Sequence, residues 1–257
     1  MKFKLAVKEN KKLEQVIARV EGDAELNQLW KCANMNAVDR AHISDHGEIH
    51  IRIVAHAALR ILRLLVEKGI QPSIVKDHKM TVEDAEVVVF LGACLHDLGI
   101  SIHRDDHEQY SLFLAYPKAR QLLAGIYDEP GLTTVVAETL HAVIAHNSDQ
   151  RCLTIEAGVL KVADAVDMSE GRSRIPFEAG QVNIHSVSAQ AIKEVKIEVG
   201  KERPIRLSIT LNNSAGIFQV DELLKRKLHN STLEPYVELV AQIHNEPERS
   251  IVEEYRL

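Results

Sequence analysis

The strongest apolar pattern in this chain lies between Thr81 and Gly99. Apolar residues recur there at helical spacing and also occupy the opposite side: Val87, Val88, Val89, Phe90, Leu91, Cys94, Leu95 and Leu98. A helix that is apolar on nearly all sides is a buried one. Thr81 with Asp84 three residues later is a capping-box pattern, and Gly99 is placed to end the helix. The pattern therefore predicts a buried helix whose last turn carries His96 and Asp97.

The adjacent His96 and Asp97 have two interpretations. Ordinary helix ends use both residue types, because an imidazole meets the negative end of the helix dipole and a carboxylate caps the next element. Alternatively, neighbouring side chains on one turn bind a metal ion, and the second carboxylate oxygen bridges to another. Since a carboxylate is almost never fully buried without a partner or a metal, the pair needs an explanation from the rest of the chain.

Helices are also predicted before this segment. Residues 5–34 have the pattern of two amphipathic helices that break near Gly22. The next helix carries His50 at the N-terminal end of its apolar stripe and ends at Gly69. Residues 70–80 are predicted to form a connecting loop.

Two short helices are predicted after the His-Asp pair. Asp105 or Asp106 caps the first, whose opening turn contains His107 and whose pattern Pro117 breaks. The second runs to about Tyr127.

Two longer helical patterns follow. Residues 133–146 are predicted to be helical and end on His146. The last helix is stopped by Gly171 and places Asp164 deep in an apolar segment. Asp167, nearer the end, is interpreted as a solvent-facing acid.

The pattern changes after this helix. Two alternating runs, a helical run and a final strand-like run follow: AIKEVKIEVG, PIRLSITLN, FQVDELLKRKL and EPYVELVAQI. This ββαβ order predicts a mainly α chain that ends in a small α+β unit. We place the domain boundary near Gly180, between residues 1–180 and 181–257, and expect the second unit to serve packing, dimerisation or substrate selection.

Composition narrows the class of protein. Apolar residues make up 46% and charged residues 26% of the 257 residues, which is ordinary for a globular chain. The formal net charge of −6 does not favour nonspecific binding to nucleic acid or an anionic membrane. Residues 87–95 form the longest apolar run, too short to span a bilayer, and the N-terminus lacks the apolar run of a signal peptide. Cys32, Cys94 and Cys152 include no CxxC, which fits a reducing compartment, so we expect a cytoplasmic protein.

Histidine is the unusual residue. The chain has 13 of them, and most lie between residues 42 and 146. The order of His50, His96-Asp97 and Asp164 resembles the H…HD…D signature of the HD superfamily of metal-dependent phosphohydrolases. The resemblance implies an all-helical HD-domain bundle in which these four residues bind a divalent metal. Mixed imidazole and carboxylate ligands suit Mn, Fe, Zn, Ni or Co, without choosing among them.

The resemblance also implies a second metal. Dinuclear members add histidines that by position correspond to His107 and His146 here, with Asp97 as the bridging, catalytic ligand. Two positions depart from the family pattern: Ile100 stands where many members have lysine, and Asn147 where dinuclear members often have a further histidine. We therefore expect one or two metals, the second bound more weakly.

A further likeness is to the catalytic half of ribonuclease Y, which also has an arginine-containing loop and a ββαβ tail after its final aspartate. The membrane segment and RNA-binding module of that family have no counterpart in this sequence, which argues against RNA. The resemblance implies hydrolysis of a phosphate ester, on a nucleotide or cyclic nucleotide, by metal-activated water. Alternatives are a ribonuclease or phosphodiesterase acting on short oligonucleotides, a non-catalytic ligand-sensing module, and a diiron oxygenase. We expect a small phosphorylated substrate or a short RNA, no membrane partner and a homo-oligomer such as a dimer.

Positively charged side chains that bind the substrate are expected near the last ligand, because the metal alone does not neutralise the negative charge of the phosphate oxygens. Lys161 precedes Asp164 by one helical turn. Arg172 and Arg174 lie in the loop after the same helix, where a guanidinium can hold phosphate by two hydrogen bonds. The three are predicted to bind substrate; the alternative is that they neutralise acids on the surface.

Overall fold

A computed structural model of the chain describes residues 2–7, 9–168, 188 and 191–244, together with the backbone of 254–256. The helices are α1 (Lys11–Gly22), α2 (Ala24–Asn34), α3 (Glu48–Glu67), α4 (Ser73–His78), α5 (Val82–Leu95), α6 (His107–Leu123), α7 (Gly131–Ala145) and α8 (Ile155–Ala165). A continuous helical segment, called α9, consists of Gly216–Phe218, Gln219–Lys225 and Arg226–His229. The strands are β1 (Ile192–Val199), β2 (Ile205–Leu211), β3 (Val237–Ile243) and β4 (Glu254–Arg256). The predicted class, a mainly α chain that ends in a small α+β unit, is confirmed.

Helix α5 lies at the centre of the helical part. Every residue from Asp84 to Leu95 is buried, and the helix packs against α1, α3, α7 and α8. The predicted capping box is present, because Asp84 accepts a hydrogen bond from the Thr81 backbone N–H at 2.9 Å. The same carboxylate accepts hydrogen bonds from Lys12 Nζ and the Tyr127 hydroxyl, each at 2.7 Å. The start of the central helix is therefore fixed by charge-assisted hydrogen bonds.

The end of α5 differs from the prediction. The helix ends at Leu95, and a separate 3₁₀ turn occupies Leu98–Ser101. Gly99 allows the backbones of the 3₁₀ turn and α6 to lie close together, because a Cβ at this position would collide with backbone atoms of α6. The Ser111 hydroxyl holds the two elements together: it accepts from Gly99 N–H at 2.8 Å and donates to the His96 carbonyl at 2.5 Å. This contact places the start of α6 beside the His-Asp pair.

Two expectations about helix breaks are wrong. The region expected to be a loop contains α4, because the buried Glu156 accepts hydrogen bonds from Ser73 N and Ile74 N at 3.1 and 2.9 Å. Helix α6 runs through Pro117. A proline removes the hydrogen bond to the carbonyl four residues earlier, here that of Phe113. Both residues are exposed, so water can satisfy that carbonyl.

The C-terminal sheet has the order β1-β2-β3-β4. Strands β1 and β2 are antiparallel, β2 and β3 are parallel, and β3 and β4 are antiparallel. The parallel pair is connected through α9, as the ββαβ order predicts. Alternate residues of β2 are buried. They belong to the same hydrophobic cluster as the helical core, so the sheet packs directly on the helices. The boundary expected near Gly180 lies outside the described residues and stays a prediction.

Candidate metal centre

Six side chains meet where several helices begin or end. They are His50 of α3, His96 and Asp97 after α5, His107 at the start of α6, His146 after α7 and Asp164 near the end of α8. Their ligand atoms form overlapping groups that could hold metal ions. All six predicted ligands are thus brought together. Five of the side chains are almost fully buried, and Asp164 is the most exposed, at 14%.

The first set of ligand atoms comes from the four signature residues. His50 Nε2 lies 3.2 Å from His96 Nε2 and 3.4 Å from Asp164 Oδ1. Asp97 Oδ2 lies 3.2 Å from each of the two imidazole nitrogens. His96 Nε2 and Asp164 Oδ1 are 3.9 Å apart. Two nitrogens and two oxygens therefore enclose one small space, which is the donor number of a tetrahedral site.

The second set uses the other oxygen of the same aspartate. Asp97 Oδ1 lies 3.2 Å from His107 Nε2 and 3.6 Å from His146 Nε2. The two imidazole nitrogens are 3.3 Å apart. Asp97 therefore directs its two oxygens to two different pairs of histidines, the arrangement of a bridging carboxylate.

Asp97 Oδ2 provides a test of whether the residues fit a metal. This buried atom has no hydrogen-bond partner in the described part of the chain, although two imidazole nitrogens lie close to it. The atoms are thus directed at the space between them and not at each other. Leaving a buried acceptor without a partner costs about 1–3 kcal/mol, more for a charged group. A divalent cation in that space would remove the cost, so the donor set fits a metal ion.

The outer ring nitrogens orient the imidazoles. His96 Nδ1 faces the Ala93 carbonyl at 2.9 Å, and His146 Nδ1 faces the Val143 carbonyl at 2.6 Å. His107 Nδ1 lies 3.1 Å from the Arg104 carbonyl. A carbonyl only accepts hydrogen bonds, so Nδ1 of His96 and of His146 carries the proton, and Nε2 of each presents a lone pair to the centre. His107 Nδ1 also lies 2.8 Å from the Arg104 guanidinium, which only donates, so these two contacts do not assign its tautomer.

Asp167 holds the fourth imidazole. Its Oδ2 lies 2.7 Å from His50 Nδ1, and both side chains are buried. The expectation that Asp167 faces solvent is wrong, because α8 ends at Ala165 and the following turn directs the carboxylate inward. A carboxylate behind a histidine ligand fixes its tautomer and raises its basicity. Its position three residues after Asp164 was the signal that could have indicated this role.

The charges of the centre favour metal binding. Burial by itself would raise the pKa of Asp97, but the neighbouring imidazoles of His96, His107, His146 and His50 hold that pKa well below its usual value. The pKa of Asp164 is also lowered well below normal, because Lys227 and the nearby histidines outweigh the effect of burial. Burial lowers the pKa of His146. The carboxylates are therefore ionised and His146 is neutral at pH 7, as metal ligands must be.

Two further polar contacts surround the ligands. Lys227 of α9 contacts Asp164 Oδ2. No local pattern predicts this contact, because the two residues are 63 positions apart. Asn147, at the position that departs from the dinuclear pattern, donates a hydrogen bond from Nδ2 to Glu108 Oε1 at 2.9 Å. The other oxygen, Glu108 Oε2, lies 3.3 Å from His107 Nδ1. Asn147 thus orients an acid behind a ligand.

The other positions singled out by sequence lie elsewhere. Lys161 is fully buried and donates to the backbone carbonyls of Gln150 and Asn230, so the structure does not group it with the ligands. Arg172 and Arg174 lie outside the described residues. Ile100, at the family's lysine position, is fully buried in a small apolar cluster.

This convergence of an H…HD…D quartet on helices is the arrangement expected of an HD-type metal centre. A family model described as "HD domain" matches residues 47–169, which contain all six predicted ligands. The chain belongs to the HD superfamily, a family of metal-dependent phosphohydrolases.

The comparison with individual proteins gives a relative in an archaeon. The chain is similar to a protein of Methanocaldococcus jannaschii named "Uncharacterized protein MJ1020". The two are 44% identical over 230 residues, which cover 90% of this chain and 88% of that protein. No solved structure matches the chain. In the described residues, the helices lack the combination of length and apolar character needed to cross a bilayer.

Proposed function

We propose that this protein hydrolyses a phosphate ester of a nucleotide or cyclic nucleotide at a dinuclear metal centre. The observation that carries the proposal is the geometry of Asp97, whose two oxygens face two separate pairs of histidine nitrogens. Two-metal sites of this kind hold both the attacking and the leaving oxygen of a phosphoryl group.

The donor set limits the metal. Imidazole and carboxylate ligands without thiolate suit Mn, Fe, Zn, Ni or Co. A bound ion would supply Lewis-acid activation of water and neutralise charge on the phosphoryl oxygens.

The two sets of ligands differ in completeness. By the distances between their ligand atoms, the first has four protein donors, whereas the second has three: Asp97, His107 and His146. Closed four-ligand sites are typical of tightly held ions, and three-ligand sites leave a position for water or substrate. Because Asn147 donates to Glu108, it does not complete the second set. The second ion is therefore the weaker one and the one that meets the substrate.

The cysteines bear on the location of the protein in the cell. Cys32, Cys94 and Cys152 are free thiols. Free cysteines suit a reducing compartment, which supports a cytoplasmic protein.

The test combines metal analysis with a screen of small phosphomonoesters and phosphodiesters. Purified protein should contain a divalent transition metal and hydrolyse at least one ester class. Asp97→Ala should lose metal and hydrolysis together, because it removes a donor from both sets. The control is Asp77→Ala, which removes an exposed acid of α4 and should leave both unchanged.

Other outcomes separate the alternatives. Hydrolysis of diesters alone would favour the phosphodiesterase. Metal binding without turnover of any ester would favour a sensing module. Full metal content and activity in Asp97→Ala would show that the site is elsewhere.

A further inference from the structure

Lys227 brings a positive charge from the C-terminal unit to the metal centre. It lies in α9, and its Nζ contacts Oδ2 of Asp164. The other oxygen, Asp164 Oδ1, faces His50 and His96. The ammonium group is therefore separated from the enclosed space by a single carboxylate.

Lys227 lies beside the most exposed ligand of the centre. Among the six predicted ligands, Asp164 has the most exposed side chain, and that of Lys227 is 20% exposed. The other five are exposed by 6% or less. Of the six, Asp164 is therefore the one that solvent reaches most, and Lys227 contacts it.

The backbone around Lys227 is fixed to the helical part. Asn230 accepts a hydrogen bond from Cys152 N at 3.0 Å and donates one to the Ser148 carbonyl at 2.8 Å. Thr232 donates to the Thr154 carbonyl at 2.8 Å. Gly158 of α8 permits this approach, because a Cβ there would collide with the Thr232 hydroxyl. The position of Lys227 is thus built into the interface and is not that of a mobile surface lysine.

Two cations of the described residues lie beside the ligands. The ammonium of Lys227 contacts Asp164, and the guanidinium of Arg104 lies 2.8 Å from His107 Nδ1. A positive group next to a metal-binding carboxylate favours an anion that contacts both, because charge-assisted hydrogen bonds to phosphate are strong.

We propose that Lys227 is a substrate-binding residue that donates to a non-bridging oxygen of a phosphomonoester dianion. The inference rests on the proposed function and deepens it, because the ammonium of Lys227 attracts the dianion of a monoester more strongly than the monoanion of a diester. With a divalent ion bound to Asp164, the attraction of that carboxylate for Lys227 would weaken, and the N–H donors of Lys227 would be available to the phosphoryl group.

The experiment uses the full chain loaded with manganese and titrated with inorganic phosphate in a calorimeter, at a mildly alkaline pH where phosphate is mainly the dianion. Dimethyl phosphate serves as the monoanionic diester probe. The variants are Lys227→Met, Lys227→Gln and Lys227→Arg. The matched control is Lys225→Met, which lies in α9 two positions earlier and forms its ion pair with Asp221 at 3.0 Å. The affinity for the first manganese ion is measured on the same samples.

The affinity for phosphate and the affinity for the first manganese ion should change in different directions. Phosphate binding should weaken about tenfold or more in the Met and Gln variants, the effect of one charge-assisted hydrogen bond. Affinity for the first manganese should stay equal or rise, because a cation beside Asp164 is removed. Lys227→Arg should retain most of the phosphate affinity, and Lys225→Met should match the wild type.

Several results would overturn the inference. A merely structural lysine would weaken metal and phosphate binding together, and a distant one would change neither. Dimethyl phosphate binding as tight as phosphate binding would refute the preference for a dianion. Wild-type protein that binds no metal would overturn the proposed function and this inference with it. Metal and Lys227-dependent phosphate binding without ester turnover would overturn hydrolysis alone and support the anion site.

Discussion

Asp167→Asn tests whether the metal centre depends on a residue that is not a ligand. Asp167 Oδ2 accepts the proton of His50 Nδ1 at 2.7 Å, and the two side chains are exposed by 2% and 1%. Asparagine has nearly the same shape but no charge. The substitution therefore removes the effect of the carboxylate on His50 without opening a cavity.

The size of the effect follows from the role of such residues. A carboxylate behind a histidine ligand contributes about 10–100-fold in metal affinity, equal to about 1.4–2.7 kcal/mol. The loss should be confined to the first ion, because His50 belongs only to the first set. The second set, around Asp97 Oδ1, should keep its affinity.

Stepwise metal titration against a chelator of known affinity measures both constants. Asp167→Asn should weaken the tight step and leave the weak step unchanged. His146→Ala should do the reverse, since it removes a donor from the second set. Asp77→Asn, on an exposed acid, should change neither. An unchanged tight step in Asp167→Asn, or equal weakening of both steps, would refute the reasoning.

Two further predictions concern the support of the centre. Gly99→Ala places a methyl group against the backbone of α6 and should lower the free energy of unfolding by about 2–3 kcal/mol in a denaturant titration, with loss of the weaker metal first. The control is Gly22→Ala, which should cost little because its Cβ would meet nothing within 4 Å. Equal effects of the two substitutions would contradict the argument. Burial would raise the pKa of Asp84, but hydrogen bonds from Lys12, Tyr127 and the capping box hold it below normal. Its stabilisation is thus present at neutral pH and lost as the pH falls through the lowered folded-state value. Asp84→Asn should therefore cost about 2 kcal/mol at pH 7 and progressively less in acid, and a cost independent of pH would show that the charge is irrelevant.

The sequence by itself determined the class of the fold and the order of the ligands. Apolar periodicity is a local property, so it predicted the buried α5 and the ββαβ tail. The capping box at Asp84 is equally local. The H…HD…D order identified His50, His96, Asp97 and Asp164, because each stands at a helix end or in an apolar segment where an unpaired polar residue would be costly. The structure brings all four together, with His107 and His146 beside them.

At several positions the local rules for starting, ending or breaking a helix fail, and only the tertiary structure decided the outcome. Helix α4 exists because Glu156, more than 80 positions away, satisfies its first N–H groups. Gly99 matters for packing against α6 and not for ending a helix. Helix α6 continues through Pro117, where both the proline and Phe113, the residue whose carbonyl loses its partner, lie on the exposed surface. In each case a contact or solvent exposure absent from the local pattern outweighed a propensity of about 1–3 kcal/mol.

The surroundings of the ligands were likewise decided in three dimensions. Asp167 and His50 are 117 positions apart, and Lys227 and Asp164 are 63 apart. Lys161, one turn from Asp164, instead has its amine on the carbonyls of Gln150 and Asn230. Such pairs leave no periodic signal, since they depend on how α8 ends and how α9 packs on it. The sequence determined which residues can bind the metals, and the packing of helices decided which charges stand behind them.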